Sequence, residues 1–240
     1  MQFYFIRHGQ SVNNLLWDRT GASIGRSHDP ELTDVGRRQA EALAQFLLGP
    51  DSNALPQEHD AQNISGFGIT HLYSSLMVRA VETGTIIAER LGLPLVGWEC
   101  IHEGGGIYLD DEETGEPVGQ PGNTRAFFEA HYPGLVLPNS VGEAGWWNRP
   151  FEPPEERPLR AQQFLRELLE RHGGTDHRVA VVSHGGFYNR FMTVLLGVPN
   201  SDSVWFVINN VAMTRIDFGE DGVVVVYTNR ADFLPRDLIT

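Results

Sequence analysis

The 240-residue chain has a single cysteine, Cys100, so no internal disulfide framework holds it together. It contains no apolar run near the roughly 20 residues needed to span a bilayer, and its start, Met1-Gln2-Phe3-Tyr4, lacks the basic and apolar regions of a secretory leader. The chain therefore reads as cytoplasmic, with no membrane as partner. Positive charge is scarce: 18 basic residues stand against 31 acidic ones, a formal net charge of −13, which argues against a general affinity for nucleic acid. Any anion must be drawn by a local cationic pocket. There is no internal repeat, no His-Glu-x-x-His pattern and no cysteine cluster, so neither a metal nor another cofactor is expected.

What the chain does have is 41% apolar residues, enough to bury a substantial core in one domain spanning residues 1–240. Strand-like and helix-like patterns alternate, which predicts an α/β three-layer sandwich: a mostly parallel central sheet with helices on both faces. Strands are expected at Phe3-Tyr4-Phe5-Ile6, over 69–73, over 94–97 and at Val179-Ala180-Val181-Val182, with a terminal hairpin of 212–218 and 223–227. One helix follows the first strand. A second starts at Thr33, whose hydroxyl can cap free amides, and carries Ala40, Leu43, Ala44, Leu47 and Leu48 on one stripe before Gly49-Pro50. Further helices are expected over 76–91 and 159–171. Residues 51–68 read as a surface loop, and 104–158, broken by Gly104-Gly105-Gly106, Trp146-Trp147 and Pro153-Pro154, as an inserted cap containing a helix over 124–131.

Two histidines follow buried strands, His8 in Arg7-His8-Gly9 and His184 in Ser183-His184-Gly185-Gly186, and Arg79 follows a third strand through Ser74-Ser75. Reactive groups of open α/β sheets gather at such strand ends. Two guanidinium and two imidazole groups converging on one pocket suit a phosphoryl group, because the arginine fork binds phosphate oxygens in pairs and stays charged. Arg79 also falls in the first turn of its helix, where free amides favour an anion.

These residues resemble the histidine phosphatase superfamily, the phosphoglycerate-mutase-like proteins. The matching elements are Arg7-His8-Gly9-Gln10-Ser11 with Asn14, the stretch Asp29-Pro30-Glu31-Leu32-Thr33-Asp34-Val35-Gly36-Arg37-Arg38-Gln39-Ala40, Ser74-Ser75-Leu76-Met77-Val78-Arg79-Ala80 with Glu82-Thr83, a carboxylate at Glu103, and Ser183-His184-Gly185. The resemblance implies that His8 is phosphorylated and that Arg7, Asn14, Arg79 and His184 hold the phosphoryl group. It points to a carboxylate acid/base in the region of Glu103, which we take for that role, with Glu99 and Asp110 as competitors. Gln10 and Ser11 are counted among the substrate-binding candidates; they read first as loop and helix-start residues, the Ser11 hydroxyl being able to support the phosphate loop. Arg125 and Arg149 in the cap are candidate substrate contacts, with Arg157 beside them, while Trp146 and Trp147 read first as packing for the cap and Phe127, Phe128 and Tyr132 as an aromatic lining. His28, His59, His71, His131, His172 and His177 read as ordinary surface or core residues, and Arg37 and Arg38 as solvated.

The expected activity is a metal-independent phosphomonoesterase acting on a small phosphorylated molecule through a phosphohistidine. A phosphoglycerate-type mutase is the alternative. Mutase members of the family carry Glu-Arg-His-Tyr-Gly after the acid, whereas this chain has Gly104-Gly105-Gly106-Ile107-Tyr108-Leu109-Asp110-Asp111, which favours the phosphatase. A binding protein that merely retains the fold is the third reading. Trp205, Phe206 and Val207 read as core in preference to a homodimer patch.

Overall fold

The computed structural model describes residues 1–49, 60–198 and 204–240. Its centre is a seven-stranded sheet in the order β6-β3-β2-β7-β1-β8-β9. Strands β1 (Gln2–Arg7), β2 (His71–Ser74), β3 (Leu95–Gly97), β6 (Leu135–Val136) and β7 (Arg178–Ser183) run parallel. The terminal hairpin, β8 (Met213–Gly219) and β9 (Gly222–Arg230), adds the antiparallel edge. A separate two-stranded hairpin, β4 (Tyr108–Asp110) and β5 (Pro117–Gly119), stands in the expected cap.

Alternation along β1 decides which helices lie on which face. Phe3 and Phe5 point to one side, where they meet Phe164 of α5 (Glu156–His172) and Phe187 and Phe191 of α6 (Gly185–Leu195), with ring centroids 5.5–6.3 Å apart. Tyr4 points to the other, against Phe67, which in turn packs on Phe46 of α2 (Asp34–Leu48). α2 lies there with α3 (Val78–Leu91), so the sheet carries helices on both faces. The first helix, α1 (Val12–Thr20), is closed by a reciprocal cap between Ser11 and Asn14, and Thr33 accepts from Gly36 N at the head of α2.

The helix stripe is right at Ala40, Leu43, Ala44 and Leu47, but Leu48 is exposed, one residue past the face that meets the core. Of the stretch expected as a surface loop, residues 51–59 lie outside the described residues. The rest is not all surface: Phe67 and Asn63 are buried, because Phe67 fills the space between Tyr4 and Phe46. Inside 104–158, α4 (Arg125–His131) is capped by Thr124, and β6 pairs with β3. Trp146 and Trp147 are buried in the same core cluster as β1, which is packing rather than substrate contact.

The loop after β1 is pressed against the start of α2. A Cβ on Gly36 would fall far inside van der Waals contact of the Gln10 carbonyl, and one on Gly9 would strike the Gly36 carbonyl. Both are backbone contacts that no side-chain rotation relieves. Gly36→Ala is expected to cost roughly 1–3 kcal/mol, the usual penalty of overpacking, seen as a lower urea midpoint with an unchanged m-value.

Candidate active site

Strands β2, β7 and β1 are neighbours running in one direction, so the residues after their C-terminal ends come together. His8 N donates to Ser183 O (2.9 Å), tying the first loop to the strand that delivers His184. The His8 carbonyl accepts from Asn210 Nδ2 (2.8 Å), and Gly9 N donates to Thr83 Oγ1 of α3 (3.0 Å). The His8 ring is fixed as well. Its Nδ1 lies 2.7 Å from the Gly9 carbonyl, which can only accept, so Nδ1 carries the proton and Nε2 holds the free lone pair. Arg79 Nε donates to that Nε2 over 3.1 Å. The His184 ring centroid stands 5.1 Å from that of His8; its Nε2 pairs with Ser75 Oγ (2.9 Å), and its buried Nδ1 has no partner among the described residues. Arg7 donates to Ile208 O (2.7 Å), and its Nε is likewise free of protein partners.

Burial sets the charge states. His8 and His184 are held well below the ordinary histidine value, first by desolvation and then by Arg79, with Arg7 adding to the effect on His8. Both are neutral at neutral pH. Arg7 and Arg79 are also pushed down by burial, from a starting point so high that they keep their charge. Arg79 has a buried counter-ion, Asp29, at 3.8 Å, whose side chain is 2% exposed. Burial pushes the Asp29 carboxyl up to about 7 against the opposing pull of Arg79, Val78 N and Asn123. Asn123 belongs to the cap, so Asp29 links the cap to Arg79.

Glu103 reaches the same pocket. Its Oε1 accepts from Gly104 N (2.8 Å) and Phe187 N (3.1 Å) and its Oε2 from Gly186 N (3.1 Å), so the carboxylate caps the N-terminus of α6. A Cβ on Gly186 would overlap Oε1, so only glycine leaves room for it. Behind Glu103, the ion pair of Glu152 with Arg160 (2.8 Å) clamps the chain: Arg160 donates to the carbonyls of Cys100 and His102, and Glu152 accepts from Gly105 N.

Arg7, His8, Ser11, Asn14, Arg79 and Glu103 line one cleft of about 620 Å³. Asn14 Oδ1 accepts from Ser11 N, leaving its Nδ2 as the donor for a ligand. Gln10 spends its side chain on Thr33 Oγ1 (2.8 Å) and does not line the cleft. Neither do Arg125 and Arg149, nor His184, which is fully buried. Arg125 donates to the carbonyls of Val141 and Pro138, holding the cap loop, while Arg149 lies 4.1 Å over the Trp147 ring. Glu99 bonds Ser140, and Asp110 is exposed on β4, so Glu103 alone of the three carboxylates lines the cleft. Arg157 stands behind Glu103, near Gly104. Phe127, Phe128 and Tyr132 pack against one another edge-on or tilted rather than lining the cleft. Its aromatic wall is instead Trp17, Tyr108 and Trp205. Trp205 and Val207, expected in the core, are 62% and 67% exposed at its mouth. Arg37 is not merely solvated, since it pairs with Glu82 at 3.1 Å.

Sequence reasoning assigned no part to Asp29, Glu152, Arg160, Ser75, Thr83 or Asn210, nor to Arg26, which stacks 4.2 Å over Tyr108 on the cleft wall, beside His28. Asp29, Ser75 and Thr83 stood inside motifs already quoted; Glu152, Arg160, Asn210 and Arg26 meet the site only through long-range contacts.

A parallel-sheet α/β fold with paired imidazoles and guanidiniums at its strand ends suits the binding of a phosphoryl group. The chain belongs to the histidine phosphatase superfamily, branch 1, whose family model matches residues 3–55 and 57–231. Curated relatives from Yersinia pestis and Yersinia pseudotuberculosis, each named "Probable phosphoglycerate mutase GpmB", are 26% identical over 220 residues, covering 92% of this chain and 86% of theirs. The fold is shared with a phosphoserine phosphatase from Entamoeba histolytica (21% identity, TM-score 0.59, 98% of this chain and 99% of that one). It is shared too with a mycobacterial glucosyl-3-phosphoglycerate phosphatase (20%, 0.57, 96% and 99%) and the α-ribazole phosphatase of Shigella flexneri (18%, 0.61, 96% of each).

His8, His102 and His184 are buried with lowered pKa values, so the unfolded chain takes up their protons near the ordinary value of 6.5 while the native state does not. Each therefore removes stability as pH falls below about 6.5, by up to about 1.4 kcal/mol per pH unit. Asp29, with its raised pKa, acts in the opposite sense, its contribution being lost as pH rises through about 7. Three groups outweigh one. Urea midpoints are expected to fall as pH drops from about 7 to about 5, with a shallower slope in His8→Asn.

Proposed function

We propose that the protein is a metal-independent phosphatase that hydrolyses a small phosphomonoester through a phosphohistidine on His8. The observation that carries this reading is the hydrogen bond from His8 Nδ1–H to the Gly9 carbonyl, which leaves Nε2 as the nucleophile on a ring that burial keeps neutral. Nε2 attacks phosphorus, the N–P bond forms and the bond to the alcohol oxygen breaks. Arg7, Arg79, Asn14 and the free Nδ1 of His184 bind the phosphoryl oxygens, where negative charge spreads in the transition state. Arg79, which donates to Nε2 in the free site, turns its donors to the incoming phosphate.

Glu103 gives its proton to the departing alkoxide and then takes one from the water that cleaves the N–P bond. It lines the cleft, and its own amide partners hold it at the start of α6. The cationic pocket disfavours a divalent ion beside the phosphate. A mutase is the second reading, favoured by the names of the curated relatives. Hydrolysis is favoured by the cleft mouth, where Trp17, Trp205 and Val207 are 58%, 62% and 67% exposed and leave water a path to the phosphoenzyme. The rims of Trp17, Tyr108 and Trp205 suit a ligand with an apolar or planar part, and Arg26 a second anionic group.

In excess chelator, wild-type protein is expected to release phosphate from members of a panel of p-nitrophenyl phosphate, sugar phosphates, nucleotides and 3-phosphoglycerate, and His8→Ala to release none. Interconversion of phosphoglycerates without phosphate release would instead establish the mutase. Because His8 stays neutral well below the ordinary histidine value, the rate should hold its plateau below pH 6.5 and fall only in more acid solution. Glu103→Gln should lose roughly 10²–10⁴-fold on alkyl phosphates and much less on p-nitrophenyl phosphate, whose leaving group needs little protonation. Equal activity of Glu103→Gln and wild type on alkyl phosphates would remove Glu103 from the acid role.

A further inference from the structure

Three of the histidines set aside as ordinary, His71, His172 and His177, converge at the end of the sheet remote from His8. His71 opens β2, His172 closes α5 and His177 stands just before β7. His184 follows the other end of β7, and seven residues of extended chain separate the two histidines by about 23 Å. The cluster is thus independent of the phosphoryl cleft.

We propose that His71, His172 and His177 form a binding site for a borderline divalent transition-metal ion, zinc being the natural occupant, with water in the fourth position. One nitrogen from each ring lies within 4.8 Å of the others, and His172 Nδ1 and His177 Nδ1 are 2.9 Å apart. Tetrahedral zinc at about 2.0–2.1 Å from each nitrogen sets such pairs about 3.3 Å apart. The tightest pair thus opens by about 0.4 Å and the others close by up to about 1.5 Å, within the swing of a side chain. The ring centroids are already 4.3, 4.7 and 5.2 Å apart, against about 5 Å for three imidazoles sharing one such ion.

The outer partners also fit. Metal-bound histidines usually donate their second N–H to an oxygen, which fixes the ring. His71 Nδ1 lies 2.8 Å from Thr70 Oγ1, and His172 Nε2 lies 3.0 Å from the hydroxyl of Tyr73. With Nε2–H of His172 donating to Tyr73, Nδ1 presents its lone pair to the metal; the hydrogen bond from His177 Nδ1–H to His172 Nδ1 is exchanged for two metal–nitrogen bonds as the His177 proton passes through solvent to its own Nε2, leaving both rings neutral. His172 is buried while His71 and His177 are half-buried, so an ion has a route in from solvent. Three nitrogen donors and no carboxylate select zinc, nickel or copper over magnesium or calcium. Bound there, the ion joins the end of α5 to the starts of β2 and β7.

The test uses tag-free full-length protein stripped with chelator, titrated with zinc chloride and followed by calorimetry, metal analysis after dialysis and melting temperature. One zinc per chain is expected, with a rise of roughly 5–10 °C at a hundredfold excess over Kd. His71→Ala and His177→Ala, both at half-buried positions, should each weaken binding by at least about tenfold, and Tyr73→Phe by about tenfold. Cobalt should give the intense visible absorption of tetrahedral coordination in wild type. His8→Ala should bind zinc as wild type does. Absence of zinc binding, equal affinity in His71→Ala and His177→Ala, or loss of binding in His8→Ala would overturn the assignment.

Discussion

Arg79 Nε donates to His8 Nε2 over 3.1 Å, and the contact requires a guanidinium that stays charged beside an imidazole that stays neutral, both out of water. Burying an unpaired cation is costly. Asp29 meets that cost at 3.8 Å, and its other contacts, Val78 N and Asn123, come from the head of α3 and from the cap. One electrostatic requirement thus fixes the position of a helix start, a loop and the cap together. All 18 cationic side chains of this chain are arginine. Arginine suits the role because lysine, with its lower pKa, surrenders its proton more readily on burial.

Much of this was legible in the sequence because it is local. Strand ends carrying Arg7-His8-Gly9 and Ser183-His184-Gly185, the Thr33 cap and the apolar stripe of α2 each need only a few consecutive residues to be read. The helix expected over 76–91 placed Arg79 in its first turn, where the structure has it. The boundaries moved by one to three residues, as in α5, which starts at Glu156 rather than 159.

What stayed hidden depends on contacts between distant segments. Nothing near Glu152 or Arg160 in the chain announces that they clamp the carbonyls around Glu103, and nothing near Phe67 that it fills a gap beside Tyr4. Arg125 was read as a substrate contact from its charge, yet the carbonyls of Pro138 and Val141, in the segment after β6, take its donors. Trp205 and Val207 have core-like side chains but sit at the cleft mouth. Hydrophobicity alone does not distinguish an apolar residue that completes a core from one that borders a ligand site.

Gly9 and Gly36 are each pressed against a backbone carbonyl that has nowhere to go, and Gly186 against the Glu103 carboxylate. The loop that carries His8 therefore tolerates almost no added side chain at Gly9 or where it meets Gly36, while Trp205 at the cleft mouth is 62% exposed and Arg26 lies over Tyr108. Evolution of this scaffold is divided accordingly. A lineage can drift from one ligand to another by exchanging rim residues, with the packed backbone around the His8 loop carried along unaltered.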